Sequence, residues 1–327
     1  MLFVDNHDTT DPRLNLALEE FLLRHAQTAE PLLLLYINEP SVIIGRNQNV
    51  WQETDPAFIK NTNIYLVRRL SGGGTVYHDL GNLNYSFITQ GQQDLHKFER
   101  VTEPIIRVLR NLGVDAEMRG RSDIVIDNQK ISGNAQYASR GRMFSHGTLL
   151  FDSNIADLRK AIKPRQIEIE SKAVQSVRSS VGNIRELLPG ALTIAGFKRA
   201  ILNGIFGPGK IPTLELTEED WKQVKQIAVE RYMSWEWNIG RSPRFKVLKS
   251  EQYPKGAVEI QAEVEKGLIK NIVVSADYFS GQDIAHLEKL LTGVRYSPDH
   301  LLAALHSGEN ELFSADFSAE EFVDLLY

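Results

Sequence analysis

Three consecutive glycines, Gly72, Gly73 and Gly74, constrain this chain more than any other feature. No helix or strand interior accommodates such a run without a large entropic cost, so it has to be a loop whose backbone is free to adopt φ > 0 and to approach a ligand closely. A strand is predicted over 64–69 before it. After Gly81, the alternation Leu83-Asn84-Tyr85-Ser86-Phe87 predicts a second strand, with Leu83, Tyr85 and Phe87 facing a core and Asn84 and Ser86 facing away. The run is neither the phosphate loop ending in Lys-Ser/Thr nor the spaced dinucleotide fingerprint. A plain turn would account for the glycines alone, but it would need none of Arg68, Arg69, Ser71 or His78, which crowd around them. Backbone N–H groups of such a loop can hold a carboxylate or phosphate, with arginine supplying a fork of donors.

The remaining chain reads as alternating helices and strands. Leu14, Leu18, Phe21 and Leu22 form one stripe of a helix starting near Pro12. Residues 32–38 and 41–45 read as the two strands of one hairpin, followed by a polar loop, Arg46 to Asn49. A helix is expected over 98–112 with Gly113 as its stop. Strands around Ile124–Ile126 and Ile131 flank a turn at Asp127-Asn128, and Met143–Phe151 is a further strand. Residues 163–190 are polar without a period and read as a long functional loop. Helices return over 193–206 and 217–232, and a linker is expected around 237–243. Beyond it, three short strands and three helical pieces, the last with a capping box from Ser318 to Glu321, make a small α/β domain. The expected division is therefore 1–242 and 243–327.

Charge and composition narrow the chemistry. A net charge of −5 provides no general attraction to nucleic acid, and no apolar stretch is long enough to span a membrane, so a cytoplasmic protein binding neither nucleic acid nor membrane is expected. There is no cysteine, which excludes thiolate metal sites and a thioester-forming nucleophile. No metal site can be assembled from the histidines and carboxylates, and no glycine-flanked serine elbow is present. His78 and His146 are readily explained as hydrogen-bonded histidines. Lys130, between Gln129 and the small residues of Ile131-Ser132-Gly133, is either a solvated hairpin lysine or an ammonium aimed into a cleft to stabilise developing charge.

At RRLSGGGTVYHDLGNLNYSF, residues 68–87, the chain resembles the lipoate–protein ligase A family. Further blocks occur in family order: NLALEE at Asn15, PSVIIGRNQN at Pro40, GRSDIV at Gly120, KISG at Lys130, HGTLLF at His146 and SVRSSVGNI at Ser176. The resemblance implies a biotin–lipoate ligase α/β (α+β) catalytic domain with mixed sheets, plus a small α/β C-terminal domain. It implies activation of lipoate by MgATP to lipoyl-AMP, then transfer to a lysine of lipoyl carrier domains such as 2-oxoacid dehydrogenase E2 subunits and the glycine cleavage H protein, by a monomeric enzyme. By the same resemblance, Lys130 is the catalytic residue, and Arg69, Ser71, Gly72, Gly73, Gly74, Val76, His78, Asp123 and His146 bind lipoyl-AMP. Ser122 stands where the family commonly has Asn and takes no role. Magnesium would be held mostly by phosphate oxygens. Relatives that carry the acyl chain on a cysteine are excluded by composition. A biotin ligase is expected to carry a Gly-Arg-Gly-Arg-type loop, which the basic clusters here match poorly. The remaining alternative is a non-catalytic paralogue that binds lipoate or lipoyl domains.

Overall fold

The computed structural model describes residues 1–162, 168–176, 179–188, 190, 192–253, 256–276, 281–307, 313 and 317–327. The chain divides into two units, Met1–Arg46 with Ile59–Ile162 and Ser176–Ser234, and Asn47–Phe58 with Lys163–Gln175 and Trp235–Tyr327. No helix among the described residues is long and apolar enough to cross a membrane.

The first unit holds ten strands: β1 (Leu2–Val4), β2 (Leu32–Ile37), β3 (Ser41–Ile44), β4 (Tyr65–Arg68), β5 (Val76–His78), β6 (Asn82–Gln90), β7 (Glu117–Arg119), β8 (Asp123–Ile126), β9 (Gln129–Ser139) and β10 (Arg142–Leu150). Seven of them form one mixed sheet in the order β1-β2-β6-β10-β9-β8-β7, and three form a small sheet in the order β4-β3-β5. The hairpin expected from residues 32–45 does not form. β2 pairs with β1 and β6, whereas β3 pairs with β4 in parallel and with β5 antiparallel. Both runs are apolar throughout, so their sequence carries no alternation that could reveal which partner each takes.

The glycine run thus links β4 to β5, the two edge strands of the small sheet. As expected, Leu83, Tyr85 and Phe87 of β6 enter the main core, where Ile105 and Leu109 of the Phe98–Asn111 helix and Phe197 and Ile201 of the Ile194–Phe206 helix cover them. Phe151 stacks on Phe197 with ring centroids 4.7 Å apart. The opposite face of the sheet is buried too, and on it Asn84 and Ser86 are 2% and 0% exposed. A polar buried face is costly without partners, and it is this face that carries the candidate site.

The helix from Pro12 to Arg24 is capped by Asp11, and the Glu218–Ile227 helix is started by the Thr217 capping box. The latter does not run on as one helix to Tyr232, because Ala228–Tyr232 widens into a π turn. Glu20 explains that widening in packing terms: its buried carboxylate takes Arg24 at 2.8 Å, Arg231 at 2.9 Å and the Tyr232 hydroxyl at 3.0 Å.

In the second unit, β11 (Glu168–Ser171), β12 (Phe245–Tyr253), β13 (Gly256–Glu265) and β14 (Leu268–Ala276) form an antiparallel sheet in that order. Helices Gly281–Leu291, Pro298–Ser307 and Ala319–Leu326 accompany it, the last with the predicted capping box. Trp51, Phe245, Tyr296 and Tyr327 form an aromatic cluster. The polar stretch Arg46 to Asn49 is a loop as expected, with Gln48 and Asn49 buried and Asn49 capping a short helix, Val50–Glu53. The expected linker at 237–243 likewise contains a helical turn, Trp235–Asn238, with Trp237 and Ser242 buried. Of the polar segment 163–190, residues 163–167, 177–178 and 189 lie outside the described residues.

Candidate active site

Arg69 builds the glycine loop. Its guanidinium is 5% exposed and donates to the Ser71 hydroxyl at 3.0 Å, to the Ile43 carbonyl at 3.0 Å, and to the carbonyls of Gly72 and Gly74, both at 2.7 Å. Gly73 has φ +88°, where a side chain would be strained, and a Cβ there would stand 3.1 Å from Arg69 Nη2. Arg68, fully buried, donates from Nη1 to the Gly45 carbonyl at 2.9 Å. With the carbonyls turned toward Arg69, the N–H groups of Gly72, Gly73 and Gly74 find no acceptor among the described residues. Successive free amides of this kind make an anion-binding concavity. The next amide, Thr75 N–H, donates to Ser176 Oγ at 2.8 Å.

Ser71 ties the loop to the main sheet. Its Oγ lies 2.7 Å from His146 Nε2, and His146 Nδ1 lies 2.9 and 3.0 Å from the two carboxylate oxygens of Glu19. The order serine, imidazole, carboxylate is that of a hydrolytic triad, but Ser71 is fully buried and its oxygen accepts from Arg69. A hydroxyl so engaged is a poor nucleophile, in keeping with the absence of a serine elbow.

His78 faces the same region from β5. Asn38 Nδ2 meets His78 Nδ1 at 2.9 Å, and the Asn38 oxygen accepts from Asn15 Nδ2 at 2.9 Å, which fixes the Asn38 amide and makes it the donor. The His78 proton therefore resides on Nε2, which is buried and has no hydrogen-bond partner among the described residues. A buried donor without a partner is costly, and an acceptor atom of a ligand would satisfy it. Burial, then the Arg69 guanidinium, then His146 hold the His78 pKa down to about 3. Below pH 6.5 the unfolded chain binds a proton that the native state refuses. Stability is therefore lost as pH falls from about 6.5 to about 3, at up to about 1.4 kcal/mol per unit. His78→Gln is expected to flatten that part of the curve when urea midpoints are compared across pH. Val76, on the same side of β5 as His78, is half-buried opposite Ile43.

Lys130 follows the β8–β9 turn, where Asp127 and Asn128 take φ of +47° and +68°, the pattern of a tight hairpin. Its ammonium pairs with Asp123 at 2.9 Å. Its Cε and Nζ lie 3.2 Å from where a Cβ on Gly133 would stand. Gly133 and Ala135 point to one face of β9, and Ala135 is paired with His146 on β10. The ammonium therefore lies on the sheet face that carries His146, about 7 Å along it. The chain gives a second tether: Lys130 N–H donates to the Ser180 carbonyl at 2.8 Å, and Gly182 N–H donates to the Lys130 carbonyl at 3.1 Å. Ser176, which holds the glycine loop, is four residues from Ser180, at most about 14 Å of chain.

The structure thus gathers Arg69, Ser71, the three glycines, His78, His146, Lys130 and Asp123 around one buried polar face. Asp79 and Gly81 serve the framework instead. The Asp79 carboxylate accepts from Gly81 N–H at 2.9 Å and Asn154 N–H at 2.7 Å, and the Gly81 carbonyl accepts from Phe151 and Asp152 N–H. Of the two small basic clusters, Arg119 with Arg121 and Arg140 with Arg142, the first three arginines are exposed, but Arg142 is buried and donates to the Ala26 carbonyl at 2.7 Å. Glu19, Asn38 and Ser176 were not among the candidates read from the sequence. For Glu19 a signal existed: Asn15 and Glu19 repeat at i, i+4 beside the apolar stripe of their helix, which puts two polar groups on its buried side.

The chain thus combines a mixed sheet backed by two helices with a glycine loop tied through Ser71 to its polar face. Residues 11–206 match the family described as lipoyl protein ligase A/B catalytic domain, and residues 242–326 match the bacterial lipoate protein ligase C-terminus. The chain is 45% identical to lipoate-protein ligase LplJ of Bacillus subtilis, with all of both chains covered. Among solved structures, a lipoate-protein ligase A bound with ATP superposes with a TM-score of 0.62 at 28% identity, over 73% of this chain and 98% of that one. A bipartite lipoate protein ligase from Thermoplasma acidophilum, described with its E2 lipoyl domain, gives 0.62 at 26% identity, over 73% and 96%. The chain belongs to the lipoate–protein ligase family.

Proposed function

We propose that this protein joins lipoate to carrier domains in two steps at the polar face described above. The lipoate carboxylate attacks the α-phosphorus of ATP, forming lipoyl-AMP and releasing pyrophosphate. A carrier lysine amine then attacks the acyl carbonyl, forming the amide and releasing AMP. The observation that carries this reading is the pairing of an anion cradle, the free N–H groups of Gly72 to Gly74, with the Lys130 ammonium on the adjoining sheet face. Both place positive charge where negative charge develops on phosphate and carbonyl oxygens.

In this reading Lys130 is the catalytic residue and Asp123 orients its ammonium. Gly72, Gly73, Gly74 and Ser71 line the lipoyl-AMP cleft, Arg69 holds the loop in shape, and His78, Val76 and His146 border the acyl chain. Among the described residues no group of three or more His, Asp or Glu is assembled to hold a metal ion, so magnesium would arrive with ATP, held by its phosphate oxygens. Because the chain has no cysteine, the activated acyl group is an adenylate and not an enzyme thioester. The carriers are the lipoyl domains of 2-oxoacid dehydrogenase E2 subunits and the glycine cleavage H protein, modified in the cytoplasm by a monomer. Residues 1–242 form the catalytic part and 243–327 an accessory domain.

Mass spectrometry of an apo lipoyl domain, incubated with the protein, lipoate and MgATP, is expected to show one lipoyl group on its lysine. Pyrophosphate release that does not depend on lipoate would overturn the reading.

A further inference from the structure

Glu19 is the buried carboxylate that this chemistry leaves without a task. It is 2% exposed, sits in the middle of the Pro12–Arg24 helix, and contacts His146, which is 127 residues away. A carboxylate accepts only, so with both oxygens within 3.0 Å of Nδ1 it makes Nδ1 the protonated nitrogen of His146. Nε2 is then an acceptor, and the group 2.7 Å away that can donate to it is the Ser71 hydroxyl. Ser71 Oγ in turn receives Arg69 Nε–H.

With His146 neutral, the donors along this line fall in one order. With Glu19 in place, the single Ser71 proton is committed to His146, so Ser71 itself presents no hydroxyl donor to the cleft beside the glycine loop. An amide at position 19 permits the reverse order, with its NH₂ turned toward Nδ1. Its NH₂ can donate to Nδ1, the imidazole proton moves to Nε2, and Nε2–H then donates into Ser71 Oγ. That oxygen now receives two donors, so its own proton must turn away from His146 into the buried surroundings of Ser71.

We infer that Glu19 is a positioning residue: through the tautomer of His146 it sets the direction of the Ser71 hydroxyl, and with it the fit of the acyl substrate. This rests on the cleft assignment proposed above. Glu19 touches no reacting atom, so its effect falls on lipoate and spares ATP.

The test combines a spectroscopic and a kinetic reading on the full-length protein. Histidine side-chain ¹⁵N spectra, with the His146 signal identified by its loss in His146→Gln, are expected to show the Nδ1–H tautomer in the native protein and the Nε2–H tautomer in Glu19→Gln. The same variant is expected to raise KM for lipoate about tenfold, the scale of one mismatched buried hydrogen bond, with KM for ATP and kcat changed less than twofold. Adding Glu19→Gln to His146→Gln is expected to raise KM for lipoate no further, because the line is already cut. Glu19→Asp, which retains an acceptor-only group, is expected to keep the Nδ1–H tautomer. An imidazolium or Nε2–H signal in the native protein, or an unchanged tautomer in Glu19→Gln, overturns the inference. So does an equal rise in KM for lipoate and ATP, which marks a general loss of structure. The spectra report on His146 whether or not the protein makes lipoyl-AMP, so failure of the proposed function and failure of this inference are distinguishable.

Discussion

Lys130→Ala is expected to slow lipoyl-AMP formation by about a hundredfold to a thousandfold, the usual cost of losing one donor aimed at developing charge. Pyrophosphate release with lipoate and MgATP is the measurement. The side chain is partly exposed, 23%, and its partner Asp123 is 33% exposed. An ion pair of that kind contributes little to stability, about 0–1 kcal/mol, so the variant should remain folded and its thermal midpoint should move little. That separation makes the experiment sharp. Intact adenylation in Lys130→Ala would remove the residue from the chemistry. Loss of adenylation with a lowered midpoint would show instead that Lys130 serves the β8–β9 hairpin.

Gly81→Ala is expected to destabilise the protein by about 3 kcal/mol, at the upper end for overpacking. A Cβ at Gly81 would lie 2.0 Å from the Asp152 carbonyl oxygen and 2.3 Å from its carbon. These are backbone atoms, held by the two hydrogen bonds that Phe151 and Asp152 make to the Gly81 carbonyl, so no rotamer change can relieve the clash. The chain must shift at the point where β5 turns into β6, and the displacement reaches His78 as well. Thermal unfolding should fall by roughly 5–10 °C. Gly72→Ala is the informative contrast. A Cβ there meets nothing within 4 Å, so stability should stay within about 0.5 kcal/mol, and any loss of adenylation reports on ligand approach.

These two glycines show how one sequence block carries two kinds of information. The segment from Arg68 to Phe87 reads as a single motif, yet its first half is the loop proposed to hold the ligand and its second half a structural turn. Composition and spacing cannot separate them, because Gly72 and Gly81 are the same residue in similar polar surroundings. The atoms a Cβ would meet do separate them.

Legibility elsewhere followed the same physical line. Helix starts were readable because caps are local: Thr193, Thr217, Asn154 and Ser318 all accept hydrogen bonds from backbone N–H groups within their own first turn. Three of the four strands of the C-terminal sheet were readable from their turns and their alternation, whereas β11 lies in the segment read as a loop. The partners of β2 and β3 were not, because fully buried strands have no polar side to mark their register. What Arg69 does was not legible: three hydrogen bonds to Ser71, Gly72 and Gly74 and one to Ile43 of β3 show that it shapes the glycine loop.

The sequence by itself determined that a glycine loop stands between two strands with arginine, serine and histidine at hand, that no cysteine chemistry is available, and that Lys130 follows a tight turn. Those are properties of neighbours along the chain and of composition. Only the tertiary structure decided that Ser71 meets His146 across 75 residues and His146 meets Glu19 across 127, and that Lys130 lies on the same sheet face. Such meetings depend on strand order and register. These are set by burial summed over the whole sheet and are written in no single segment.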